Sequence, residues 1–379
     1  MISFLARPLC LVLLCLLAPV QDDAGPSCKR CDSTGMSPCG EHPKAECALH
    51  DGTVYCSEFE GCESCSGTGW VDCDRCENEA AGAELERRIR ERERKAKGLK
   101  WIEDEMGREL RMAETPNMIL VWELDSLKVE KKRRNAHELL HIYADRLDTL
   151  YTDYCEAVGA TRRHFKKKPT VFVWWLPKDQ LEGSLRFCGN SNRQGVKLLG
   201  ATPTYSVCGN KQFMRGDEEL HRNLVHNVTH LLLSHHSPSQ WIGNIKGGWA
   251  DAGLAHWFEE KYWGIATNYC YQEGGGGNTN FKGGKFRVAV RKLVATEKVP
   301  EASLVFTRNT DTLTPAEHAV SFSYVDYLLS IDGKKFYKVV QMLKARKPVR
   351  EALKAVFDMN PLQFEERWKA WVLETYPTR

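Results

Sequence analysis

The sequence predicts an α+β protein in three parts: a small Cys-rich module, a charged helical linker, and a larger domain with a small mixed sheet and a helical C-terminal part. Three observations carry this. Nine of the fifteen cysteines fall between residues 28 and 76. Residues 77–115 are almost unbroken charge. From residue 116 onward, short strand-like apolar runs interleave with long segments of helical spacing. The expected parts are a leader at 1–24, the Cys-rich module at 25–76, the linker at 77–115 and the main domain at 116–379.

Composition bounds the function classes. With 379 residues, 42% hydrophobic and 27% charged, the chain has the balance of ordinary globular protein and room for more than one domain. A net charge of +3 gives no footing for nucleic acid. No stretch reads as an internal membrane span. The leader combines Arg7 with LCLVLLCLLAPV, the charge-then-apolar order of a secretory signal. Cys15 follows Leu14, whereas lipid anchoring wants a small residue before its cysteine. The mature chain is therefore expected to be exported, to a periplasmic or extracellular location.

The head carries C-E-S-C-S-G-T-G-W-V-D-C-D-R-C, in which Cys62, Cys65, Cys73 and Cys76 form two C-x-x-C knuckles. Each knuckle lets two thiolates reach one tetrahedral ion, and Gly67 and Gly69 permit the tight turn around it. This C-x-x-C-x-G-x-G run resembles the cysteine-rich zinc domain of DnaJ-type chaperones, with Cys28 and Cys31 as an earlier, partly degenerate repeat. The resemblance implies zinc as cofactor, with Cys28 and Cys31 sharing an ion with Cys73 and Cys76. Cys62 and Cys65 then need partners among Cys39, Cys47 and Cys56. No second C-x-x-C stands between Cys31 and Cys62, so the resemblance implies one complete site and leaves the second in question. Disulfides are the rival reading for an exported module, although nine cysteines leave one over.

In the linker, Leu85, Ile89, Ala96, Leu99, Met106 and Leu110 form a narrow stripe that Arg92 interrupts. A solvated helix spacing the head from the body is expected, supported by opposite charges one turn apart. A coiled-coil dimer is the alternative.

In the main domain, NMILVWEL reads as a strand. Ala136, Leu140, Tyr143, Leu147, Leu150 and Tyr154 mark a helix, and TVFVWWLP, from residue 170, reads as a second strand. KLLGATPTYSVC adds an edge strand, to which an extended peptide can be added. Cys188 and Cys208 flank that region and could be bridged. The Gly-rich run from Asn268 reads as a mobile surface insertion, with a lid as the alternative.

The chemistry, if any, lies between Asp217 and Glu260. Leu220, Leu224, Val228 and Leu231 define an amphipathic helix from which His226 and His230, four apart, project from one face and can grip one metal ion. In H-E-x-x-H helices the intervening glutamate is the general base on metal-bound water. Here that position is Asn227, whose amide cannot take a proton from water near neutral pH. Asn227-Val-Thr229 also fits a glycosylation pattern, discounted on so packed a helix. His235 and His236 end the helix, where cations are favoured.

The next segment, GGWADAGLAHWFEEKYWG at residues 247–264, makes the chain resemble the gluzincin-type metallopeptidases. Their second helix commonly reads W-x-x-E-G-x-A-x-[YW]-x-E and supplies a carboxylate ligand. Trp249, Gly253, Ala255, Trp257 and Glu259 match; the ligand position is Ala252, and the adjacent Asp251 points about 100° away on a helix. The resemblance extends to residues 318–372, a helix, a Gly turn and three more short helices, with His318 near the position where relatives offer an oxyanion-steadying tyrosine. It implies a zincin-like domain that has lost its general base and third ligand. No catalytic residue is then expected, His226 and His230 remain metal candidates, and the function becomes peptide or protein binding, or scaffolding. Two alternatives stand beside it: an active zinc metallopeptidase with a rearranged site, using His226, His230 and Asp251 with an outside base, and a chaperone-like holder acting through the head.

Overall fold

A computed structural model describes residues 28–41, 55–57, 62–75, 79–193, 195–200, 202–212, 214–273 and 281–379. The leader at 1–24, Cys47, Cys76 and the glycines at 274–277 lie outside the described residues.

Alternation in the apolar runs becomes a two-faced sheet. In β5 (Ile119–Trp122) and β8 (Thr170–Trp174), Leu120, Trp122, Val171 and Val173 enter one core, while Val121, Phe172 and Trp174 enter another. These strands pair in parallel, and β8 pairs in parallel with β10 (Thr204–Cys208). Two short strands extend the N-terminal side, β4 (Met112–Glu114) and β2 (Tyr55–Cys56), both antiparallel. An antiparallel edge strand, β9 (Val196–Leu198), closes the other side, giving the order β2-β4-β5-β8-β10-β9, while β6 (Ser126–Val129) and β7 (Lys132–Asn135) form a separate antiparallel pair. The single edge strand expected from residues 197–208 is thus two: 204–208 lies inside the sheet and 196–198 is the edge. Cys188 and Cys208, which could have been bridged, are both free, with Sγ atoms directed to the carbonyls of Val196 and Trp175.

The charged helix, α1 (Glu79–Met106), forms as expected but is not a solvated spacer. Its Leu99 and Ile102 are buried with Phe172, Trp174 and Phe187 on one sheet face. A stripe too thin for a coiled coil is wide enough to lie on a ready-made apolar surface. The interrupting Arg92 is itself buried, and donates to the Cys56 carbonyl at 2.7 Å. Phe187 ends α3 (Pro177–Cys188), which covers the same face.

The opposite face receives α2 (Ala136–Val158) and α4 (Asp217–His235). Behind α4 lies α5 (Gly248–Trp263), which packs in turn on a long helical segment, α8 (Pro315–Lys344). The lesser helices of the C-terminal half are α6 (Phe286–Ala295), α7 (Ala302–Val305), α9 (Val349–Phe357) and α10 (Pro361–Thr375). The backbone of α8 breaks at Asp332, φ −171°, which yields the helix, Gly turn and three further helices read from residues 318–372. Gly333 is required there: a Cβ would stand 1.7 Å from the Ala157 carbonyl oxygen.

Gly253 has the same role between α5 and α8, where an added Cβ would lie 2.4 Å from the Ser321 carbonyl oxygen. Backbone cannot yield as a side-chain tip can. Gly253→Ala is therefore expected to destabilise the fold by about 1–3 kcal/mol, read as a lower urea midpoint at unchanged slope.

His235 and His236 are buried rather than cationic at the end of α4. The group that satisfies the helix end is Lys344, which burial pushes down to about 7 and whose Nζ donates to the carbonyls of Leu233, at 2.6 Å, and of His236. Burial and then the Lys344 charge push His236 down to about 2, and the ring stacks on Tyr337 with centroids 3.5 Å apart. Burial and then Arg146 push His221 down to about 4. Both are depressed in the fold, so their contribution is complete above the unfolded value near 6.5 and is lost as pH falls below it. Stability should drop by about 1.4 kcal/mol per pH unit for each histidine between pH 6.5 and 4. His236→Phe, which keeps the stack, should flatten that slope in a series of urea titrations.

Candidate metal centres

Helix α4 places His226 and His230 one turn apart with their rings facing α5, both fully buried. Each ring is held from behind. Glu259 Oε1 accepts from His226 Nδ1 at 2.6 Å, and Asp251 Oδ1 stands 3.0 Å from His230 Nδ1, off the line of a strong hydrogen bond. The other oxygen of Asp251 accepts from Trp241 Nε1 and Thr310 Oγ1, both at 2.9 Å. A carboxylate behind Nδ1 fixes the tautomer that leaves Nε2 as an electron donor, the usual arrangement around a metal-bound histidine. The two Nε2 atoms converge to 3.3 Å. Asp251 therefore orients His230, and the neighbouring Ala252, buried in α5, brings no donor atom.

The chain after α5 completes the centre. Gly264, φ 69°, ends the helix in the left-handed conformation and turns the chain back. Glu259 Oε2 then accepts from the backbone N–H groups of Thr267 and Asn268, at 2.9 and 3.0 Å. So anchored, the segment delivers Cys270 and Glu273 over the histidines. Glu273 Oε2 lies 2.9 Å from His226 Nε2, and Cys270 Sγ lies 3.8 Å from His230 Nε2. The expected surface insertion thus turns two side chains, Cys270 and Glu273, into the interior, while Tyr271 between them is exposed.

His226, His230, Cys270 and Glu273 each bring a ligand atom within 4.8 Å of the other three, and all four residues are buried. A tetrahedral zinc site has N–N edges of about 3.3 Å and N–S edges of about 3.6 Å. The observed 3.3 and 3.8 Å fit it. Glu273 Oε1 is buried without a hydrogen-bond partner, as is expected of an oxygen reserved for a cation. Charge points the same way. Burial opposes ionisation of Glu273, yet His226 and its neighbours hold the carboxyl well below its ordinary range. Burial and Glu273 raise the Cys270 thiol, but Lys197, His230 and His226 outweigh them and bring it down to about 6, a thiolate at neutral pH. Burial would lower His226, but Glu273, Cys270 and Glu259 hold it well above its usual value. Thiolate and carboxylates this deep in the protein need positive charge among them. The four residues fit a divalent ion.

Asn227 is committed elsewhere. Its Oδ1 accepts from Lys197 Nζ at 2.6 Å, and its Nδ2 donates to the Asn223 carbonyl at 2.8 Å. Lys197 reaches it from edge strand β9 and is itself buried. His318, on α8, is buried 3.1 Å from His256 Nε2 and 3.7 Å from Glu273 Oε1. Burial pushes it down to about 3, so it is a neutral ring.

In the head, β1 (Met36–Pro38) pairs with β3 (Trp70–Asp72), and this hairpin-like pair brings the cysteines into two groups. One is Cys28, Cys31 and Cys73; the other is Cys39, Cys62 and Cys65. The first is the expected grouping, with Cys76 outside the described residues. The second takes Cys39 from the three candidates considered. The pairs Cys28–Cys73 and Cys39–Cys62 have Sγ atoms 3.8 Å apart. That spacing is the S–S edge of a tetrahedral site with Zn–S about 2.3 Å, and far beyond a disulfide bond of about 2.05 Å. Gly67 and Gly69 have φ of 73° and 79°, as the knuckle turn requires.

One literal H-E-x-x-H string does occur, at His137 to His141, and plays no part in the arrangement above. It opens α2, where Glu138 Oε2 accepts from the Asn135 N–H and Asn135 Oδ1 accepts from the Glu138 N–H, a capping box. Glu138 is thus spent on the helix end and on Arg134, 3.1 Å away.

No helix of the described residues is long and apolar enough to cross a membrane. The chain matches no protein-family model and no curated protein.

Proposed function

We propose that this is an exported, non-hydrolysing relative of the zinc peptidases, which holds a structural zinc ion in its former catalytic centre and binds a peptide or protein client. One observation carries the reading: four protein donors, His226, His230, Cys270 and Glu273, converge, so an ion held by all four would have no open position for water. His226, His230, Cys270 and Glu273 would hold the ion, which supplies charge compensation to the buried acids. Asn227, with no proton-accepting group, supports the loss of the water-activating step. The zincin-like reading draws support from the mixed sheet, the paired helices α4 and α5, and the antiparallel edge strand beside them. Edge strand β9 is the place for a client, bound in extended form by strand addition. The head is read as a DnaJ-like zinc module.

The test is incubation of the zinc-loaded intact chain with unfolded casein and a mixed peptide library, followed by mass spectrometry. No product above the His226→Ala control is expected, while binding of extended peptides persists. Cleavage that His226→Ala abolishes would revive the metallopeptidase alternative. Peptide binding that is lost with head cysteine variants alone would favour the holder.

A further inference from the structure

A further cluster of metal-ligating side chains lies where the head meets the body. Strand β2 lies between the two halves of the head's second cysteine group in sequence, yet it pairs with β4 of the main sheet, Cys56 opposite Ala113. Pleating sends Tyr55 into the core beneath α1 and Cys56 into the core on the α2 side. There Cys56 meets His137 and His141, which lie one turn apart on the first turns of α2, with ring centroids 4.7 Å apart. The three residues bring ligand atoms within 4.8 Å of one another. Cys56 and His141 are buried, and His137 is half-buried.

We propose that Cys56, His137 and His141 bind a zinc-class divalent ion that staples β2, and through it the head, to helix α2. The donor set is one thiolate and two imidazoles, a borderline-soft set suited to zinc. Glu138 is held in the capping box, so the site lacks the base that would activate a metal-bound water. It has a structural task instead. A two-residue strand pairs too little backbone to hold its place by the ladder alone. Arg92 fixes the Cys56 carbonyl from the α1 side. The ion fixes its thiol from the α2 side.

The experiment is metal analysis of the intact, reduced chain in wild-type, Cys56→Ser, His137→Gln/His141→Gln and triple-variant forms, each checked by circular dichroism. The double variant is expected to lose one equivalent of zinc, Cys56→Ser the same one, and the triple variant still only one. An unchanged count in the double variant overturns the proposal. So does a loss of two in the triple variant, which would place Cys56 on a separate ion in the head. Should the double variant not fold, half-buried His137→Gln alone is used on cobalt-loaded protein. A several-fold weaker cobalt occupancy of one site in a competition titration is expected, and unaltered occupancy of every site overturns the proposal.

Discussion

Cys65→Ser in the intact chain is expected to release one zinc ion and to open residues 62–75 to proteolysis while the main domain stays folded. The reason is what the head lacks. Between residues 28 and 75, the described side chains buried as apolar core are Cys31, Cys39, Tyr55, Cys56, Cys65 and Cys73, and Tyr55 belongs to the core of the main sheet. Among the described residues around β1 and β3, the buried apolar side chains are the cysteines themselves. A module of this kind folds on its metal, and structural zinc contributes on the order of 10 kcal/mol to such small units. Removal of one thiolate therefore costs more than the module's own stability. The measurement is zinc content together with limited proteolysis and mass spectrometry. A head that stays protease-resistant at reduced zinc content would show that disulfides or contacts with α1 hold it instead.

The second large effect is expected in the main domain. His226→Ala should release its ion and lower stability by about 3–5 kcal/mol, because Glu259 and Glu273 are then left buried without their cationic partner. For a domain of this size that is a fall in melting temperature of roughly 10 °C. The same change at His318, which does not belong to the four-ligand set, should leave the zinc content at its wild-type value. Equal zinc in His226→Ala and wild type would remove the ligand assignment.

Much of this architecture was legible in the sequence, for identifiable reasons. The apolar alternation at 119–122 and 170–174 and the helical spacing from Leu220 to Leu231 are local patterns, so their elements could be read directly. The fate of α1 was not legible, since its partners Phe172, Trp174 and Phe187 are distant in sequence and a thin stripe does not announce what it will meet.

The metal centre divides along the same line. His226 and His230 were readable from one helical turn, and Asn227 between them as a residue that cannot act as a base. Cys270 and Glu273 were not, because a lone cysteine and a glutamate beside a glycine run carry no period. Their C-x-x-E spacing is the only local hint, and their place depends on Glu259 capturing the backbone at Thr267 and Asn268. His137 and His141 are the opposite case. Their string is conspicuous, and only the structure shows Glu138 diverted to the helix cap.

Closure of the His226–His230 centre by Cys270 and Glu273 is the feature on which the proposed function rests. Its most direct test is a zinc-edge anomalous diffraction map from crystals of the metal-loaded chain. The expected result is one ion bound by His226 Nε2, His230 Nε2, Cys270 Sγ and a Glu273 oxygen, with no water on it. An ion carrying a water in place of Cys270, or a folded main domain with no ion between these four residues, would contradict it.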